Sequence, residues 1–134
     1  MSDLPEGFET IFRSSPFLDL LGPIYNKKTD KGLVIALCVQ AKHCNAREQL
    51  HGGVLSSLAD VALGYNAAFS SEQPIPIVTA SLTVDYAGSA KLGDWVEVIT
   101  DVQKVGRRMA FANCYFVVAG KRIARASGVF TVVD

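Results

Sequence analysis

Asp60 is the only charged residue between Gly52 and Ser71, in a stretch otherwise made of apolar and small polar residues. An ionised carboxylate in such surroundings is costly unless it is paired or hydrogen-bonded. Two readings are open. Asp60 holds a structural register through a neighbouring Ser, Thr or amide, or it is a general base or nucleophile in a partly dry cleft. Just upstream stands His51-Gly52-Gly53. If a helix begins there, its first N–H groups lack intrahelical partners. Ser, Thr, Asp or Asn usually caps such an end, whereas here two glycines occupy the turn. Without side chains they let a ligand oxygen approach the amides closely. The helix dipole adds positive potential. The pair therefore suits a carbonyl oxygen and the oxyanion it becomes, or simply a tight chain entry.

Spacing then constrains the chemistry. Asp60 lies eight residues past Gly52, about 12 Å along a helix rising ~1.5 Å per residue. A general base must come within ~3 Å of the proton it takes, or act through one water. One helix does not bring both groups to the same carbon. Two antiparallel helices from two subunits do, and a two-fold axis gives two such sites. The catalytic reading thus predicts an obligate dimer.

The elements that position these residues follow from periodicity. Val54, Leu55, Leu58, Ala62, Tyr65 and Phe69 recur at helical steps, predicting a helix over 53–69. Its other side, with Ser57, Val61, Gly64 and Ala68, is small or apolar, so the helix should be buried nearly all round. Residues 8–13 suggest a short helix ended by Pro16. Strands are expected at 20–25 and 33–39 around a polar hairpin loop at 26–32, then a loop at 42–50. After the helix, strands are expected at 77–86, 95–104, 107–119 and 121–133. Two strands, one long helix and a meander predict an α+β fold, a curved antiparallel sheet wrapped around one central helix. Helices do not alternate with strands as in a dinucleotide-binding fold.

Composition fits one domain over residues 1–134, with 49% hydrophobic and 19% charged residues. Lys+Arg and Asp+Glu are both 13, which argues against a nucleic-acid partner. No apolar run is long enough to span a bilayer. The N-terminus lacks a signal core, and three widely spaced cysteines fit a reducing, cytoplasmic setting. His43 and Cys44 are adjacent, but no further ligand is suitably spaced, so no metal site is expected. A Cys–His nucleophile would need Cys38 or Cys44 against His43 or His51, and nothing in the spacing places them together. Tyr65 and Phe69 either line an apolar tunnel along the helix or pack in the core.

Asn45, then His51-Gly52-Gly53, then Asp60, then the strand containing Thr79, resembles the hotdog-fold thioesterases. The nearest branch is that of the phenylacetate-degradation thioesterases and the mammalian thioesterase-superfamily acyl-CoA hydrolases. The likeness extends to Ala90-Lys91-Leu92-Gly93-Asp94 and Val105-Gly106-Arg107. It implies an acyl-CoA substrate, no separate cofactor, and a homodimer able to pair into a homotetramer. By position it implies that the Gly52 N–H and the Asn45 side chain polarise the thioester carbonyl, with Gly53 beside them. Asp60 of the partner would activate water or attack directly. Thr79 would orient the water, and His51 would fix the loop and contact the carbonyl or sulfur region. Arg107, Arg108 and Lys91 are suitable partners for the phosphates of coenzyme A, or they are a solvated hairpin end. One departure stands out. Many relatives have Gly three residues after the Asn, where this chain has Glu48, which predicts a different loop path and a site hostile to anionic acyl groups. Two other functions are compatible with the pattern: a hydratase or dehydratase of enoyl-CoA, and a non-catalytic acyl-CoA binding module.

Overall fold

The computed structural model describes residues 4–133. Strand β1 (Glu9–Thr10) leads into helix α1 (Pro16–Leu21). Strands β2 (Ile24–Thr29) and β3 (Gly32–Cys38) form a hairpin, and a 3₁₀ turn spans Ala41–His43. The long helix α2 (Gly52–Ala68) follows, then β4 (Ile77–Tyr86), β5 (Trp95–Val105), β6 (Met109–Val118) and β7 (Lys121–Val132). The seven strands form one sheet in the order β1-β2-β3-β5-β6-β7-β4, and every pairing is antiparallel. This is the expected long helix wrapped by a curved sheet.

Three local expectations are corrected. Residues 8–13 hold a two-residue strand rather than a helix, because Glu9 and Thr10 pair with Asn26 and Tyr25 of β2. Pro16 begins a helix instead of ending one: Ser15 caps α1 by accepting the Leu18 N–H, and a proline at the first turn loses no bond. Residues 26–29 belong to β2, which leaves only Asp30 and Lys31 between the paired strands.

The core lies between α2 and the concave face of the sheet. Leu58 and Leu63 of the helix meet Leu37, Val98, Phe116 and Phe130 of the strands, all buried. Asn66 fastens the far end of the helix. Its Oδ1 accepts the Leu33 N–H at 2.8 Å, and its Nδ2 donates to the carbonyls of Leu33 (2.9 Å) and Ala62 (2.8 Å). A buried amide with all three bonds made locks the helix in register against the β2–β3 hairpin.

The helix is not buried all round. Leu55, Leu58, Ala59, Ala62, Leu63, Asn66 and Ala67 are buried, but Ser56, Ser57, Asp60, Val61, Gly64 and Ala68 are half-open. The sheet covers one face only, and the small-residue side predicted to be buried lines a groove. Among the described residues no helix is long and apolar enough to cross a membrane.

Replacing Asn66 by leucine preserves volume but strands the polar groups of Leu33. Asn66→Leu should lower the unfolding free energy by roughly 2 kcal/mol or more in urea titrations; an unchanged midpoint would show that the helix is held by packing alone.

Candidate active site

Asp60 sits halfway along α2 and opens on a groove of about 960 Å³ between α2, β4 and the α1 segment. Its Oδ1 accepts a hydrogen bond from Thr79 Oγ1 at 2.5 Å. The lone charge of the helix is thus satisfied by one hydroxyl, and its second oxygen faces no donor among the described residues. The groove walls are largely apolar, with Val61, Gly64, Ile77, Leu82 and Phe130 among them. Tyr65 and Phe69 also line it, and Phe12 packs edge-on against both. Burial raises the Tyr65 hydroxyl above its ordinary pKa while nearby Arg13 pulls the other way. The phenol stays neutral and donates to the Arg13 carbonyl at 3.1 Å.

Thr79 reaches Asp60 because β4 is irregular. The pairing of β4 with β7 shifts register between Thr79 and Ser81, so Ala80 is an extra residue. Side chains alternate along a strand, so Thr79 and Tyr86, seven apart, would face opposite ways in a regular one. The bulge resets the alternation. Thr79 pairs with buried Phe130 above it, and Tyr86 pairs with buried Ala124 below. Both side chains then touch α2, Thr79 at Asp60 and Tyr86 at the first turn.

At that first turn the polar groups are almost fully accounted for. The His51 N–H donates to His43 O, and His51 O accepts from Val54 N at 2.9 Å. Gly53 N–H donates to His51 Nδ1 at 2.8 Å, and Gly53 O accepts from Ser57 Oγ. Gly52 O accepts from Tyr86 Oη at 2.9 Å. Among the described residues the Gly52 N–H is the one backbone group of this turn with no partner. This corrects the picture of an uncapped glycine turn: His51 is the N-cap, with its ring in the role usually filled by Ser or Asp. The two glycines also differ in purpose. A Cβ on Gly53 would lie 3.0 Å from His51 Nδ1, so that glycine makes room for the cap. A Cβ on Gly52 would meet only the Tyr86 ring at 3.4 Å, an ordinary contact. Packing within the chain does not demand glycine at 52.

Asn45 lies in the exposed loop before α2. Its Oδ1 accepts the N–H groups of Arg47 (2.8 Å) and Gln49 (3.3 Å), which leaves Nδ2 as a spare donor. Glu48 adopts φ 61, the left-handed backbone that glycine takes without strain. The loop therefore makes a glycine-type turn at Glu48 despite the substitution. Lys91 is bridged to Gln49 of this loop, and its amide is held by Asp94. Arg107 and Arg108 lie in the exposed β5–β6 turn, where Arg108 O accepts from Val132 N. Val132 pairs with Ile77, so this turn sits at the opposite end of β4 from Tyr86. One chain does not bring Arg107 and Arg108 to Lys91, nor Asp60 to Gly52.

The sulfur chemistry has no geometry behind it. Cys114 is buried in the core, and burial pushes its thiol up to about 12. Cys44 Sγ donates to Gln40 O. Both ring nitrogens of buried His43 are engaged, with the Gln40 N–H and with Leu21 O. His43 is a brace between the loop and α1. Tyr86 and Ser56 were not singled out from the sequence; a contact between positions 30 apart leaves no local signal.

Comparison with known proteins agrees with this architecture. Residues 49–124 match the family model of the thioesterase superfamily. A Pseudomonas aeruginosa protein, provisionally named an esterase, is 52% identical over 131 residues, spanning 97% of this chain and 98% of that protein. Human acyl-coenzyme A thioesterase 13 is 30% identical over 111 residues, 82% of this chain and 79% of that enzyme. Among solved structures, the PaaI protein of the Escherichia coli phenylacetic acid degradation operon superposes with TM-score 0.80 at 25% identity. That match covers 90% of this chain and 86% of PaaI. By fold and by sequence, the chain belongs to the thioesterase superfamily and has its hotdog fold.

Proposed function

We propose that this protein hydrolyses acyl-CoA thioesters, using Asp60 of one subunit and the Gly52 N–H of another. The observation that carries the reading is the pair of unspent groups on α2: a groove-facing carboxylate oxygen at Asp60 and an unpartnered amide at Gly52. Acyl transfer needs both, a base or nucleophile and a donor for the oxyanion. Relatives named as acyl-coenzyme A thioesterases support the substrate class.

In this reading the thioester carbonyl oxygen accepts from Gly52 N–H, with Asn45 Nδ2 beside it. Water adds to the carbonyl carbon as Asp60 takes its proton. The oxyanion collapses, the C–S bond breaks, and coenzyme A leaves as a thiolate that Asp60 or water reprotonates. Thr79 spends its hydroxyl proton on Asp60, so its lone pairs are available to a water proton. Direct attack by Asp60 would give an anhydride that water then opens, with the same residues.

The two halves must come from two chains, and β4 is the strand that suits the joint. It is an unpaired edge, ten residues long, with Val78 52% exposed. Such an edge invites pairing. Antiparallel pairing of two copies about the middle of β4 would lay the Ile77 end of one beside the Tyr86 end of the other. Arg107 and Arg108 of one copy would then approach Gly52 and Lys91 of its partner, a basic border suited to coenzyme A phosphates. A homodimer is thus part of the reading, further pairing to a homotetramer is compatible with it, and no cofactor beyond the substrate is required.

Two experiments test it. Across a panel of acyl-CoAs, Asp60→Asn should lower turnover by a factor on the order of 10² or more; turnover near wild type would refute the role. Gly52→Ala should melt at or above the wild-type temperature, since alanine favours helix, yet lose hydrolysis because its methyl blocks the approach to the amide. Gly53→Ala should instead melt lower by disturbing the His51 cap. Full activity in folded Gly52→Ala would contradict the assignment.

A further inference from the structure

We propose that Tyr86 is a positioning residue for the Gly52 amide, an inference that rests on the hydrolytic reading above. Tyr86 ends β4 and reaches the first turn of α2, 34 residues upstream in sequence. Its hydroxyl donates to Gly52 O at 2.9 Å and lies 2.7 Å from Ser56 Oγ. With its one proton on Gly52 O, the phenol oxygen accepts from Ser56. The ring also lies against Gly52, with carbons 3.4 Å from where a Cβ would sit.

Consecutive glycines are the most conformationally free turn a chain can have. An oxyanion donor helps only if it is aimed before the charge develops. The turn must therefore be held from outside its own side chains. His51 holds the Gly53 N–H and Tyr86 holds the Gly52 carbonyl, so both sides of the Gly52–Gly53 peptide are fixed. The Gly52 N–H belongs to the preceding His51–Gly52 peptide, whose carbonyl accepts from Val54 N, so the Tyr86 hold adds to that bond by fixing the other side of the Gly52 Cα. The Ala80 bulge lets one strand carry both holds, Thr79 on the carboxylate of its own helix and Tyr86 on the amide. These two contacts serve opposite halves of two different sites in a dimer.

Tyr86 is about half-exposed and its ring makes its own contacts, so Tyr86→Phe keeps shape and removes only the hydrogen bonds of the hydroxyl. Wild type, Tyr86→Phe, Ser56→Ala and Asp60→Asn should be compared on the best substrate of the acyl-CoA panel, with thermal midpoints measured alongside. The expected result for Tyr86→Phe is a kcat lower by on the order of 10-fold, with KM within about 3-fold of wild type. Ser56→Ala leaves the bond to Gly52 in place and should lose less. Amide exchange of Gly52, read by NMR on glycine-labelled protein, should be faster in Tyr86→Phe. Wild-type kcat in Tyr86→Phe beside a dead Asp60→Asn would overturn this inference alone. A raised KM at unchanged kcat would also overturn it, by making Tyr86 a substrate contact. No hydrolysis by wild type on any acyl-CoA would remove the functional reading and this inference with it.

Discussion

A straight α-helix separates residues eight apart by about 12 Å, and no side-chain rotation closes that gap. Asp60 and the Gly52 amide are fixed at that separation on α2. The separation governs how the other features are understood. The groove beside Asp60 has largely apolar walls and a carboxylate, and the Gly52 amide is not among its lining residues. The turn at Gly52 has an unpartnered amide but no carboxylate. In the proposed reading each half is incomplete in one chain.

The same division is visible in how the polar groups are paired. Thr79 takes one oxygen of Asp60 and leaves the other. His51, Tyr86 and Ser57 take every polar group of the glycine turn but the Gly52 N–H. A fold that merely needed a helix start would cap it with a Ser or Asp and use ordinary residues thereafter. The bulge at Ala80 ties the two halves together mechanically, since it lets Thr79 and Tyr86 face the helix from one strand. That strand is also the open edge of the sheet. Edge, bulge and both holds therefore coincide on β4, beside both Asp60 and the Gly52 turn.

Much of this was legible from residue types. The period of Leu55, Leu58 and Ala62 gave the helix, and alternation gave the later strands nearly to the residue. The isolation of Asp60 in an apolar run singled it out as a candidate, because an unpaired charge in apolar surroundings is expensive. What local pattern could not show was tertiary. Strand β1 exists only because β2 is there to pair with it. Pro16 reads equally as a stop or a start until Ser15 is seen to cap the helix. His51 does not resemble a cap in sequence, yet its ring serves as one. The small-residue side of α2 looked like buried surface, when in one chain it is the floor of a groove. Tyr86 left no trace because its partners are 30 and 34 residues away. Glu48 signalled a changed loop, but the backbone there takes the left-handed turn all the same.

The decisive measurement is complementation between two inactive chains, Asp60→Asn and Gly52→Ala, co-expressed so that they form mixed oligomers. If each site takes its carboxylate from one chain and its amide from the other, a mixed dimer holds one intact site and one doubly damaged site. Random pairing then restores about a quarter of wild-type hydrolysis. A mixture as inactive as either parent, with mixed dimers demonstrated, would contradict the account, because it would mean that both groups act from the same chain or that they do not act together.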